Sequence, residues 1–290
     1  MNLIYKVEQS NLNINNILKN ELHISNRLFY KLINNKLVYK NDHLCDTRDI
    51  AQIGDIIKIE LNYKEDNSNI IPTKMDLNII YEDDYLLILN KPKGLAVHPS
   101  ILHFDDTLSN GVKYYFDKIG LHKKIRPVNR LDLNTSGLIV FAKNEYIQES
   151  LIKQMSNNTF KKEYLAIVTG YLENKTGTIK KSIARKEGSI IERCISENGK
   201  IAITNYKVLN EYNNFSLVKC ILETGRTHQI RVHFASIGHP LLGDELYGEK
   251  SDFLCGHALV CNKLSFIHPI TNKQLEFTLE NAIKNFEELF

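Results

Sequence analysis

Six short apolar runs recur between residues 79 and 222, at 79–81, 85–89, 138–142, 162–170, 201–209 and 215–222. Only two helical patterns, at 144–154 and 228–237, interrupt them. Strands that do not alternate regularly with helices cannot build a doubly wound parallel sheet. The pattern predicts an α+β domain with a mostly antiparallel central sheet. No Gly-x-x-x-x-Gly-Lys-Ser/Thr loop occurs, so a P-loop nucleotide site is not expected.

The first sixty residues are patterned differently. Leu12, Ile14, Ile17 and Leu18 recur at helical spacing, and Ser25 is placed to cap a second helix over 26–35. Leu28, Phe29, Leu32 and Ile33 fall on one face of that helix, with Arg27, Lys31 and Lys36 along another. Strand-like pieces at 37–39 and 56–61 follow, the second behind an Ile53-Gly54-Asp55 turn. Residues 63–75 are polar with one proline and read as a linker. The expected organisation is a small α/β module over 1–62, a linker over 63–75 and a larger domain over 76–290. The module is either an RNA-binding unit or a helical cap with a solvated basic face.

Charge and cysteine usage narrow the setting. Net charge is only +3, so a surface for a polyanion has to be a local patch. The five cysteines are odd in number and form no Cys-x-x-Cys pair, which suits a reducing compartment. The start, Met1 to Lys6, lacks the pattern of a signal peptide, and no apolar run is long enough to span a bilayer. A cytoplasmic protein without membrane contact is expected. Cys255, His257, Cys261 and His268 are not spaced as a usual zinc set, and no metal is expected there.

The run Arg126-Pro127-Val128-Asn129-Arg130-Leu131-Asp132-Leu133-Asn134-Thr135-Ser136-Gly137 sets a carboxylate at the mouth of the apolar strand 138–142. Desolvating that carboxylate is costly unless a cation pairs with it. Taken alone, Asp132 is either a reactive group or the cap of the 134–137 turn. Arg130, two residues earlier, projects to the same side if the chain is extended, and its plain alternative is a surface ion pair. Tyr164 lies in an alternating strand, where a tyrosine is ordinarily a half-buried core residue.

Four segments in order carry more. They are Tyr81 to Pro99 with its Asn90-Lys91-Pro92-Lys93-Gly94 core; Asn129-Arg130-Leu131-Asp132-x-x-Thr135-Ser136-Gly137; Lys161-Lys162-Glu163-Tyr164 to Gly170; and Thr224-Gly225-Arg226-Thr227-His228-Gln229-Ile230-Arg231-Val232-His233 through Gly243-Asp244. Together they resemble the RluA family of RNA pseudouridine synthases over nearly all of 78–270. Residues 10–61 resemble the small RNA-binding module of the ribosomal protein S4 type.

The resemblance implies the pseudouridine synthase fold and isomerisation of uridines in structured RNA, ribosomal RNA before tRNA; such a rearrangement has no net redox change and calls for no cofactor or metal, and a monomer is the default expectation. It implies Asp132 as catalytic carboxylate, Arg226 as its cation, and Tyr164 as a wall stacked on uracil that also takes the C5 proton. It implies that Arg130 displaces the base and holds the flipped nucleotide, with Asn129, Thr135, His228 and Arg231 as further substrate-binding candidates. His228 and Arg231 either meet phosphate or brace the sheet. Gly225 is expected to take a positive φ that aims Arg226 inward. Arg27, Lys31 and Lys36 are the expected RNA-binding residues of the module. Asn129 departs from the histidine of many relatives, which removes any cationic role at that position. The main rival is a non-catalytic RNA-binding protein that keeps the fold.

Overall fold

A computed structural model describes residues 1–252 and 254–287. The N-terminal part builds a four-stranded sheet in the order Asn2–Lys6, Ile56–Glu60, Val38–Lys40, His43–Leu44. Against it packs the helix Asn26–Asn34, where the Ser25 hydroxyl accepts from Leu28 N at 3.3 Å. Leu28, Phe29 and Leu32 are buried with Ile14, Ile17, Leu18, Ile57 and Ile59 in a core of their own. The segment expected as one helix over 12–19 instead runs as a turn of α-helix, Ile14–Asn16, then a π-helix, Ile17–Glu21.

The larger sheet has nine strands. Its path runs Thr176–Lys180, Ile203–Tyr212, Phe215–Leu222, Lys161–Thr169, Leu259–Ile267, Ser136–Ala142, Leu86–Lys91, Ile79–Glu82, with Gln274–Thr278 beside the far half of Leu259–Ile267. Every pairing is antiparallel except one: Leu259–Ile267 meets Ser136–Ala142 in parallel, at Val260↔Ser136 and Cys261↔Gly137. Gly137 is required at that contact. Its φ is +107°, and a Cβ there would lie 2.3 Å from the Cys261 carbonyl oxygen. Cys261 in turn stands opposite Tyr164. A row across three strands therefore brings the turn before Gly137, which carries Asp132, alongside Tyr164.

The helix Glu145–Ser156 covers part of the sheet, capped by Asn144, and Leu108–Lys118 covers more, capped by Thr107. The second has no counterpart among the expected elements, because Ser109, Asn110 and Gly111 are weak helix formers that dilute its apolar face. No helix among the described residues is long and apolar enough to cross a membrane.

Residues 63–75 are strapped down rather than loose. Ile70 is buried in the large core, and Thr73 N donates to Asn110 O at 3.1 Å. Glu65 accepts both prongs of Arg126 at 2.7 Å and Lys31 at 2.9 Å, while Lys31 also reaches Glu145 at 3.0 Å. Burial alone would raise the Glu65 pKa, but Arg126 and Lys31 outweigh it and hold it at about 2. Lys31, expected to bind RNA, is thus spent on the seam between the two parts. Arg27 and Lys36 remain exposed.

Candidate active site

Asp132 is delivered by a tight return of the chain. Residues 126–129 run back along Ser136–Ala142, with Val128 N on Val140 O and Ala142 N on Arg126 O, both at 2.8 Å. The Asn129 side chain extends that ladder, donating to Leu138 O at 3.1 Å and accepting from Val140 N at 2.9 Å. These bonds use one amide N–H and one oxygen lone pair, so Asn129, expected as a substrate contact, clamps the strand backbone at the wall of the cavity it lines. Beyond the clamp, Arg130 to Asp132 leave the sheet, and Thr135 N closes the turn on Asp132 O at 3.1 Å.

A buried lysine pins the turn from behind. Lys91 Nζ donates to Leu95 O at 2.7 Å, Pro92 O at 2.9 Å and Leu133 O at 3.0 Å. Burial, only partly opposed by Asp132, lowers the Lys91 pKa to about 8. Thr135 Oγ1 lies 2.8 Å from His257 Nε2. Burial and then Arg231 push His257 down to about 4, so it stays neutral beside the turn. Thr135, another expected substrate contact, faces this histidine.

The cation beside Asp132 differs from the expected one. Arg231 Nη1 stands 3.4 Å from Asp132 Oδ2 and His228 Nε2 stands 3.8 Å from it. Arg226 is exposed, and its Nε donates to Ile201 O at 3.0 Å. The correction has a local cause. Gly225 does not take a positive φ; the left-handed residue is His228, with φ 57° and ψ 21°, immediately before the helix Gln229–Ala235. The turn at His228 starts the helix so that Arg231 points at the carboxylate. Neither His228 nor Arg231 is a mere sheet brace.

Arg231 is held by a better partner than Asp132. Asp244, fully buried, takes its Nε at 2.7 Å and its Nη2 at 2.8 Å. This bidentate pair fixes the guanidinium plane and leaves one nitrogen for Asp132. Asp132 itself keeps lone pairs open to the cavity.

The cavity has a volume of about 480 Å³ and is lined by Asp132, Arg130, Tyr164, Lys162, Arg226 and His228 among others. Glu223 also reaches its rim but is exposed and bonded to Asn205. Tyr164 is buried, and burial, then Cys261 and Asp132, raises its phenol well above the ordinary value. Lys162 is two residues from Tyr164 on the same face of the strand. No salt-bridge partner reaches it among the described residues, the acceptor it meets is the weak Met155 Sδ at 4.0 Å, and burial lowers its pKa. Gly225 leaves it room, since a Cβ there would lie 3.3 Å from Lys162 Nζ. Reading the sequence for motifs overlooked Lys162, Lys91 and Asp244 as working groups. All three stood inside the quoted segments, in Asn90-Lys91-Pro92, Lys161-Lys162-Glu163-Tyr164 and Gly243-Asp244, but without a local pattern that gave them a role.

A half-buried carboxylate in a cation-lined cavity beside a buried aromatic defines an enzyme that handles an anionic, ring-bearing substrate. The comparisons narrow the class. The family model of RNA pseudouridylate synthase matches residues 85–236. An RNA pseudouridine synthase of Bacillus subtilis strain 168 is 40% identical over 89% of this chain and 85% of its own length. Ribosomal large subunit pseudouridine synthase D of Zymomonas mobilis is 38% identical over 72% of this chain and 70% of its own. The solved human RNA pseudouridylate synthase domain containing 1 superposes with a TM-score of 0.59 at 28% identity, over 70% of this chain and 83% of that one. The chain belongs to the RNA pseudouridine synthases, isomerases that turn uridine into pseudouridine within RNA.

Proposed function

We propose that this enzyme isomerises uridines of ribosomal RNA, with Asp132 as the catalytic carboxylate. The observation that carries the site assignment is Asp132 itself, faced by Arg231 and His228 yet saturated by neither. Isomerisation breaks the C1′–N1 bond, turns the uracil and forms C1′–C5, with one proton lost from C5 and one gained at N1. A carboxylate supports this by adding to the substrate or by facing the cationic sugar, and both roles use the negative charge that Arg231 faces at 3.4 Å. The paired carboxylates of an ordinary glycoside hydrolase are not built here, since the other lining carboxylate, Glu223, is exposed and accepts from Asn205 at 2.8 Å.

The target base has to leave its stack to reach this cavity. Exposed Arg130 at the mouth is the group that takes its place or its phosphate. Tyr164 is the wall on which uracil stacks, a contact of roughly 1–3 kcal/mol. Its raised phenol keeps its proton, which favours the wall over a proton acceptor. Arg226 and Lys162 supply positive charge along the lining. The N-terminal part acts as an S4-like RNA-binding module through Arg27 and Lys36. Ribosomal RNA is favoured by the relatives named for the large ribosomal subunit. The free thiols fit a cytoplasmic enzyme.

The test is Asp132→Asn. It should fold and bind RNA with kcat at least about a thousandfold lower, a loss of roughly 4 kcal/mol in transition-state stabilisation. Residual turnover within tenfold of wild type would sink the assignment. Mapping pseudouridine in a strain without the gene should show missing sites in ribosomal RNA. Loss confined to tRNA would overturn the substrate.

A further inference from the structure

The turn Gly243-Asp244-Glu245-Leu246-Tyr247-Gly248 does two things at once. Asp244 clamps Arg231, and three residues later Tyr247 reaches the other group facing Asp132. The Tyr247 hydroxyl lies 2.8 Å from His228 Nδ1, and its ring packs edge-on against the imidazole with centroids 5.7 Å apart. The same ring lies 5.0 Å from the Arg231 guanidinium carbon. The hydroxyl also accepts from Arg193 N at 2.8 Å, in the hairpin formed by Ile183–Arg185 and Arg193–Ile195.

We propose that Tyr247 is a positioning residue that fixes His228 as the tautomer with its proton on Nε2, directed at Asp132. The proposal rests on Asp132 as the catalytic carboxylate and assigns how its second neighbour is oriented. A phenolic hydroxyl has one proton to give. One lone pair of the Tyr247 oxygen is taken by Arg193 N–H, and His228 Nδ1 is the acceptor within reach for the hydroxyl proton. A neutral imidazole that accepts at Nδ1 carries its proton on Nε2, the atom 3.8 Å from Asp132 Oδ2. Burial lowers the His228 pKa and works toward the neutral ring this requires. The opposite tautomer would turn a lone pair toward the carboxylate and repel it. One turn of the chain thereby orients both donors that face Asp132, and through Arg193 it ties one of them to the hairpin whose tip exposes Ile190 and Ile191.

Tyr247→Phe tests this, because it keeps the ring under Arg231 and removes only the hydroxyl. Nitrogen NMR of the full chain labelled at histidine should show His228 with bare Nδ1 and protonated Nε2 in the wild type. In Tyr247→Phe the two tautomers should mix. On total RNA from a strain lacking the enzyme, kcat should fall roughly tenfold while KM stays within about twofold. In a His228→Gln background, whose amide has no tautomers, adding Tyr247→Phe should cost less than about twofold. An unchanged tautomer in Tyr247→Phe, or equal losses in both backgrounds, overturns the proposal and leaves a packing role. If Asp132→Asn proved active, the site reading would fall separately, while the NMR result would still decide the tautomer.

Discussion

Two clusters of buried charge can be set side by side. At the seam, Glu65, Arg126, Lys31 and Glu145 satisfy one another: both Glu65 oxygens are taken at 2.7–2.9 Å, and the Tyr63 hydroxyl closes on Glu145 at 2.6 Å. In the cavity, Arg231 is clamped by Asp244, but Asp132 receives only contacts of 3.4 Å from Arg231 and 3.8 Å from His228, and Lys162 has no carboxylate within reach among the described residues. The residue types are the same; the difference is completeness. A closed network holds two parts of a fold together, whereas an open one waits for a substrate.

That contrast is broken most forcefully at the seam. Glu65→Gln leaves Arg126 and Lys31 with only Glu145, at 3.5 and 3.0 Å, as a carboxylate and should cost about 3 kcal/mol of stability. Because the cavity is untouched, kcat on a short RNA should change little. Thermal melts followed by circular dichroism check the first effect, and turnover checks the second. Acid should imitate the substitution. Glu65 is held at about 2 against an ordinary 4.5, so its contribution is full above pH 4.5 and lost as pH falls toward 2. Stability of the wild type should fall more steeply over that interval than that of Glu65→Gln. Parallel pH profiles would show that the network is not what holds the seam.

Asp244→Asn is the corresponding opening of the cavity's one closed pair. The guanidinium loses its charged clamp and drifts from Asp132, and kcat should fall about a hundredfold, or roughly 2.7 kcal/mol. Lys162→Met should do the reverse of Glu65→Gln. It removes a desolvated cation that nothing balances, so the melting temperature should hold or rise while kcat/KM falls about tenfold. A fall in both would mean that Lys162 has a structural partner after all.

How far the sequence could be read follows the same division. The strands over 85–89 and 138–142 show in the sequence because their burial is continuous, and the Asn26–Asn34 helix because its cap and apolar face agree. Strand Leu259–Ile267 escaped although it is central, because Asn262, Lys263 and Ser265 break its alternation. Asp132 and Tyr164 could be singled out from local pattern plus order along the chain. The choice between Arg226 and Arg231 could not, because it depends on which residue between them takes the left-handed backbone, and His228 is no stronger a signal for that than Gly225. Lys31 was misread for a related reason: a cation on an open helix face looks the same whether RNA or a strap such as 63–75 will cover it.

The smallest expected effect concerns Asn129, where a cavity residue behaves like one of the seam. Its amide supplies one donor and one acceptor to a strand edge, as a neutral histidine also can, so the position asks for a paired donor and acceptor rather than a charge. Asn129→Ala should therefore cost about 1–2 kcal/mol of stability through two lost backbone bonds, with kcat falling less than about threefold. Asn129→His should restore most of that stability at neutral pH and lose it in mild acid, where protonation removes the acceptor that Val140 N requires. If Asn129→Ala instead abolished turnover while melting like the wild type, Asn129 would belong with Asp132 among the open groups of the cavity.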